Sequence, residues 1–306
     1  MSAWGNRPRP DLPRYSTMAA TFHAGLNLRR ILFATDFSAS ALAALPQAAR
    51  LARGSGARLV LTHVIEIHPW KISSEAALRL RIDATRRLDH TLALPELRGI
   101  STETVVGHGR VTAEILRIAQ EYAAEMVVTG TRSRHGLNHF FANSAAEQLA
   151  ESAPCPVLTV GPRARPVAVN APFRNIVLAT GLNPGAAAGI SYARSFAQAQ
   201  GAKLWVAHSL HPHSPLNETD SATTWLKKLV PDHPGIELVA EVGSVEQVTL
   251  TLAERECADL VMLAPGLGSR LPQIARYVAC PVMAVRYAIP MIRPKSLGAE
   301  LTGSQK

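Results

Sequence analysis

The residues with chemical potential in this chain fall into two small groups. The first is the stretch GTRSRHGLNHFFANSAAEQL, residues 130–149, which follows the short apolar run EMVVTG. A glycine such as Gly130 has no Cβ, so its backbone can come close to a phosphate. Ser144 stands at the start of a helix-like segment, where a hydroxyl, free N–H groups and the helix dipole together attract anions. Ser144 and Glu147 also read as a capping box, which needs no ligand. Ser133 and Asn143 hold two places where a phosphate-holding loop would favour glycine. Asparagine tolerates the left-handed backbone region better than most residues, and serine there costs on the order of 1 kcal/mol. The second group centres on Asp36, at the end of the run RILFATDF. A carboxylate there can accept from a base amino group or a ribose hydroxyl, and ligands in open parallel sheets bind at that edge. Capping of the next helix by Asp36 or Ser38 is the competing reading.

Those residues need elements to position them. RILFATDF reads as a buried strand, and SASALAALPQAARLARGSG as one helix kinked at Pro46 and stopped at Gly54/Gly56. ARLVLTHVI, STETVVGHG and EMVVTG read as further strands, with helices over about 73–93, over VTAEILRIAQEYAA and over about 144–152; PVLTVGP is the last strand. Strands separated by helices of this length make βαβ units and a parallel sheet. The pattern then restarts. Residues 174–210 mirror 30–65, RECADLVMLAPG mirrors EYAAEMVVTG, and VACPVMAV mirrors APCPVLTV. This is a whole-domain duplication. The expected layout is a disordered tail over 1–27, a domain over 28–161, a Pro-rich linker over 162–172, a shortened domain over 173–287 and a tail over 288–306. Met1 and Met18 both stand as starts for translation.

Composition bounds the class. The hydrophobic share of 47% and the charged share of 18% suit a core-forming protein. No apolar run approaches the ~18–20 residues of a membrane span, and no secretory leader is legible, so a soluble, cytoplasmic protein is expected. The net charge of +9 sits largely in the two tails, and no basic stripe with interleaved aromatics marks a nucleic-acid surface. Cys155, Cys257 and Cys280 form neither a disulfide framework nor a CxxC site and read as packing residues. The pair His135 and His139, and HPHSP at 211–215, lack a further metal ligand. There is no GxxxxGK[ST] loop and no G-x-S-x-G elbow, so no catalytic residue is assigned and no enzyme is expected.

Taken together, ILFATDFS, LTHV, GTRSRHGLNHFFANSAAEQLAESAPCPVLTV and the second CPVMAV resemble the universal stress protein family (UspA-like), present twice in tandem. The resemblance implies two Rossmann-like (adenine nucleotide alpha hydrolase-like) α/β domains, each a parallel sheet of order 3-2-1-4-5 between helices. It also implies pairing through the last strand, either between the two halves or in a homodimer. Nucleotide-binding members carry G-x2-G-x9-G-[ST] after the fourth strand. Against that pattern Gly130 matches the first glycine, Ser133 and Asn143 replace the next two, and Ser144 matches the final position. Asp36 and Val64 match the residues beside the adenine. The implied cofactor is ATP or ADP with magnesium, held by Asp36, Val64, Gly130, Ser133, Asn143 and Ser144. In the second half Gly181 replaces Asp36, the loop is shortened, and Pro265 lacks an N–H donor; no nucleotide is expected there. The alternative is a nucleotide-independent scaffold that binds proteins.

Overall fold

The computed structural model describes residues 28–66, 73–131, 145–181, 183, 185–211, 216–230 and 234–286. The expected tails, and Ser133, Asn143, Ser144, His135 and His139, lie outside the described residues.

The first half runs β1 (Arg30–Ala34), α1 (Ala39–Leu42), α2 (Leu45–Ser55), β2 (Arg58–Ile65), α3 (Ser74–Leu92), β3 (Thr102–His108), α4 (Val111–Glu121), β4 (Met126–Gly130), α5 (Ala145–Ser152) and β5 (Val157–Val160). The second half repeats it as β6 (Asn175–Thr180), α6 (Ala186–Gln200), β7 (Lys203–Leu210), α7 (Leu216–Leu229), β8 (Ile236–Val242), α8 (Val245–Arg255), β9 (Leu260–Leu263), α9 (Leu271–Tyr277) and β10 (Val282–Ala284). β2 and β7 start 145 residues apart, β3 and β8 134, and β5 and β10 125. The second half is thus shortened in two places, around α7 as well as after β9.

One expectation on the first half changes. The single helix kinked at Pro46 is two helices, α1 and α2, with Pro46 in the first turn of α2. Proline lacks the N–H that would bond back into α1 but suits a first helical turn. Gly56, at φ 70, ends α2 in the left-handed region as expected of a stop signal.

All ten strands form one sheet of order β3-β2-β1-β4-β5-β10-β9-β6-β7-β8. Each half reads 3-2-1-4-5. Every pairing is parallel except β5 with β10, where Leu158 faces Met283 across an antiparallel seam. The last strands of the two halves therefore pair within one chain, and the carboxyl edges of the halves point in opposite directions. Apolar residues cover both faces of the sheet. α2, α3, α6 and α7 bury their apolar sides against one face, around Phe33, Leu88, Phe196 and Leu226. α4 and α5, and α8 and α9, cover the other. Such two-sided burial explains why the strands read as continuous apolar runs.

Small devices are duplicated with the fold. The Glu125 carboxylate accepts the N–H groups of Arg29 and Arg30 at the entry to β1. Asp259 does the same for Arg174 and Asn175 at the entry to β6, at 2.8 and 3.0 Å. Residues 161–174 form no helix or strand. They are held to the first half by Arg50, whose Nε donates to the Ala171 carbonyl at 2.6 Å and whose guanidinium lies 3.5 Å from the centre of the Phe173 ring.

Candidate functional site

In each half the order of strands reverses between the first and fourth strands, and a crevice opens there at the carboxyl edge. In the first half this edge is formed by the ends of β1, β2 and β4. Thr35 turns the chain out of β1, and its Oγ1 accepts the Phe37 N–H at 2.9 Å. The exposed Asp36 accepts the Ser38 N–H on Oδ1 at 2.9 Å. Ser38 in turn caps α1, its Oγ accepting from Ala41 N–H at 3.2 Å. Of the two cap candidates read from the sequence, Ser38 makes the cap of α1, and Asp36 holds the turn that leads into it.

Phe37 has φ 60, rare for a bulky residue. Its ring lies 4.5 Å from that of His63 and beneath the Arg87 guanidinium at 4.3 Å. His63 Nδ1 donates to the Thr35 carbonyl at 2.9 Å, which fixes the tautomer and ties β2 to the end of β1. Val64 follows, 9% exposed. Backbone strain of this kind costs roughly 1–3 kcal/mol and gathers at ligand sites. The sequence reading used Asp36 and Val64 but missed Phe37, Arg87 and the role of His63; only the aromatic directly after Asp36 gave a signal.

Gly130, at the end of β4, is brought to the same edge. A Cβ there would overlap the Ser40 carbonyl oxygen and lie 2.8 Å from Ala41 Cα. The glycine thus lets α1 pack directly on the strand end. The second half keeps this close approach but moves the glycine. Ala264 stands where Gly130 does, and the helix carries Gly189, whose Cβ would lie 2.8 Å from that of Ala264.

The second crevice is otherwise different. Gly181 holds the place of Asp36, and Asn183 fills the space beside it. Asn183 Oδ1 accepts the Gly185 N–H at 2.8 Å, and Nδ2 donates to the Pro265 carbonyl at 3.3 Å. A Cβ on Gly181 or Gly266 would come within 2.9 or 3.1 Å of that amide. Asn183 thereby fastens the turn after β6 to the turn after β9. The neighbouring cleft between Thr180, Ser209 and Thr249 is a shallow surface dip with no room for a small molecule. His208 repeats the tie of His63, its Nδ1 donating to the Thr180 carbonyl at 3.0 Å. Asn183 was not singled out from the sequence; GLNPG carries the turn chemistry that could have drawn attention to it.

The Universal stress protein family matches residues 27–161 as a sequence profile. A universal stress protein of Thermus aquaticus is 31% identical over 136 residues, covering 43% of this chain and 98% of that protein. The chain belongs to the universal stress protein family. A universal stress protein of Methanocaldococcus jannaschii is 27% identical over 157 residues, 48% of this chain and 91% of that one. The crystal structure of a universal stress protein from Archaeoglobus fulgidus covers 83% of this chain and 97% of its own, with a TM-score of 0.67 and 16% identity. That likeness extends the family fold across both halves. No described helix is long and apolar enough to cross a membrane.

Proposed function

We propose that this universal stress protein is a cytoplasmic stress-response binding module, not an enzyme, whose first half takes an adenine nucleotide. ATP or ADP with magnesium would sit at the carboxyl edge of β1, β2 and β4. Asp36 would accept from the base or ribose, Val64 would wall the adenine, and Gly130 would open the phosphate loop that continues through Ser133, Asn143 and Ser144. The observation that carries this reading is the contrast between the two crevices. The first keeps an exposed carboxylate beside a strained Phe37, while the second replaces the carboxylate with glycine and fills the space with Asn183. The second half then serves to pair with the first through β5 and β10, or to dock a partner.

One set of observations favours the second reading, a nucleotide-independent scaffold. Asp36, Ser38 and Gly130 all have structural work that needs no ligand.

The deciding experiment measures nucleotide released from purified, acid-denatured protein, then Mg-ATP calorimetry on the nucleotide-free form. The binding reading expects about one adenine nucleotide per chain, with affinity weakened at least about tenfold, about 1.4 kcal/mol, in both Asp36→Ala and Ser144→Ala. Folded protein with no nucleotide and no heat would overturn it in favour of the scaffold.

A further inference from the structure

α3 carries apolar residues on a side that no described part of the chain covers. Its core side is set by Ala84 and Leu88, 3% and 0% exposed. At 100° per residue, Leu78 and Ile82 lie one turn apart on the side turned away from that core, and they are 58% and 50% exposed. Exposed Glu75 lies one turn before them, and exposed Thr85 and Arg86 one turn after. The outer stripe of α3 thus reads acid, apolar, apolar, base, with Arg79, seven residues before Arg86, on the same flank as Arg86. Leu80, 44% exposed, projects from the other side of the helix and is not part of it.

That order is complementary to its own reverse. If a second α3 is laid antiparallel so that Leu78 meets Ile82 of the second copy, Ile82 meets Leu78 of that copy by symmetry. The same register sets Glu75 opposite Thr85 of the second copy, one residue's rise, ~1.5 Å, from its Arg86. Two apolar layers are then flanked by two acid–base pairs, related by a two-fold axis, and the two Arg79 side chains nearest that axis extend outward into solvent, where each is already 78% exposed. This is what an isologous contact requires, and at coiled-coil-like crossing angles it is ordinary helix packing. Within its own helix Glu75 accepts from exposed Arg79 at 2.6 Å; a surface pair of that kind is weak, so the carboxylate can exchange partners. A parallel arrangement would put Glu75 beside Glu75 and Arg86 beside Arg86.

The sequence of the second half does not repeat that order of residue types. Its Ala222 and Leu226 are buried in α7 as Ala84 and Leu88 are in α3. Counting back from them puts Asp220 at the position of Ile82, and Thr224 at that of Arg86. The same count puts His213, outside the described residues, at the position of Glu75.

We infer that the outer stripe of α3, Glu75–Leu78–Ile82–Arg86, is a self-docking surface for a second copy of this chain. Because β5 and β10 already use each other's edges, this contact joins whole tandem chains through their first halves. The stripe spans only ~16 Å of helix and falls short of the ~800 Å² per partner of a standard interface. The dimer is therefore transient and concentration-dependent.

The test is sedimentation velocity of the full chain from about 5 to about 500 µM, a range over which mass action moves a weak dimer. The expected result is a monomer–dimer equilibrium that Ile82→Glu abolishes. Glu75→Arg and Arg86→Glu should each weaken it by about tenfold, because each sets like charges opposite one another. The double exchange, Glu75→Arg with Arg86→Glu, should restore it to within about threefold, a recovery that damage to the helix would not give. Far-ultraviolet circular dichroism checks that each variant stays folded. A chain that stays monomeric throughout, a dimer indifferent to Ile82→Glu, or a double exchange no better than either single one would overturn the inference. In the first two cases α3 is not covered by a second copy; in the last, the register is wrong.

Discussion

At the end of β1 the chain places Asp36; at the matching end of β6 it places Gly181. Around the first, Phe37 is held at positive φ between His63 and Arg87. Around the second, Asn183 bonds across to the next turn and fills the space. Otherwise the halves are close copies, with the same strand order, the same histidine tie and the same carboxylate at the strand entry. Duplication preserved what folding needs and let the carboxyl edges diverge. Two copies with one core are a controlled comparison, and changes made at matched positions separate scaffold from site.

The largest effect tests the sameness of the cores. Cys155 and Cys280 occupy matched CPV segments, and burial pushes each thiol up to about 12. Desolvation is the first cause at both, and the nearby carboxylates of Glu125 and Asp259 add to it. Cys257 is exposed. A thiol reagent at pH 8 should therefore label Cys257 readily and the two buried thiols at least about a thousandfold more slowly, through loss of thiolate alone. The same shift has a sign in stability. The folded state keeps two protons that the unfolded chain releases above its own thiol pKa, ~8.5. Their contribution is complete below that pH and is lost as pH rises toward 12, at up to about 1.4 kcal/mol per pH unit for each thiol. Denaturant titrations at rising pH check this, and Cys155→Ala and Cys280→Ala should each flatten the slope by a similar amount. Unequal flattening would break the equivalence of the cores.

Next in size is the glycine that changed sides. Gly130→Ala would drive a methyl group into the Ser40 carbonyl, and should cost about 2–4 kcal/mol because backbone must move. In the second half, Gly189→Ala should cost less, about 1–2 kcal/mol, since its nearest obstacle is the Ala264 methyl group at 2.8 Å. Adding Ala264→Gly should recover most of that loss, rebuilding in the second half the arrangement of the first. Urea unfolding of the single and double variants gives the coupling. No coupling would mean that the two close approaches are not equivalent.

Much of this architecture is legible in the sequence because its causes are local. Runs such as RLVLTHVI and KLWVAHSL carry apolar residues at odd and even positions alike because helices cover both faces of their strands. Repetition of the whole pattern gives the two halves and, through the family resemblance, their strand order. The break between α1 and α2 is less legible, since Pro46 is compatible with either a kink or a new start. The reason for Gly130 is not legible at all, because Ser40 lies ninety positions away and meets it only in the folded chain. Asn183 is hidden for the same cause. Its partner, the Pro265 carbonyl, is a backbone atom brought near by the sheet, and backbone acceptors leave no mark in a sequence. Asp36 was legible as a residue of the carboxyl edge, but its bond to the Ser38 N–H, which supports the cap without being it, was not.

A smaller effect sharpens the contrast at the edges. Asn183→Ala removes the acceptor of the Gly185 N–H and the donor to the Pro265 carbonyl. Gly185 and Pro265 are only half-buried, so the cost should be about 1 kcal/mol. If Asn183 is what closes the second crevice, the amides of the turns after β6 and β9 should lose protection from hydrogen exchange, while those around Asp36 stay unchanged. A loss spread evenly over both halves would show that Asn183 supports the seam and not the crevice.

The smallest effect returns to what the halves share. α4 and α8 are each followed by a residue at positive φ that is not glycine, Ala123 at 45° and Cys257 at 48°. Both are exposed, so neither side chain contributes much packing to offset the strain. A left-handed residue with a Cβ costs roughly 1 kcal/mol, and glycine relieves this while losing more freedom on folding. Ala123→Gly and Cys257→Gly should therefore each stabilise by about 0.5 kcal/mol, independently, since the positions belong to different halves. The mirror change, Gly56→Ala at φ 70, should destabilise by about 1 kcal/mol. Equal gains at Ala123 and Cys257 would mean that this helix ending was inherited with the duplication and is held by backbone geometry alone. A gain at only one would mean that a further contact holds the backbone at the other, and the first place to look would be Ala123, whose carbonyl accepts from Arg30 Nε at 3.3 Å.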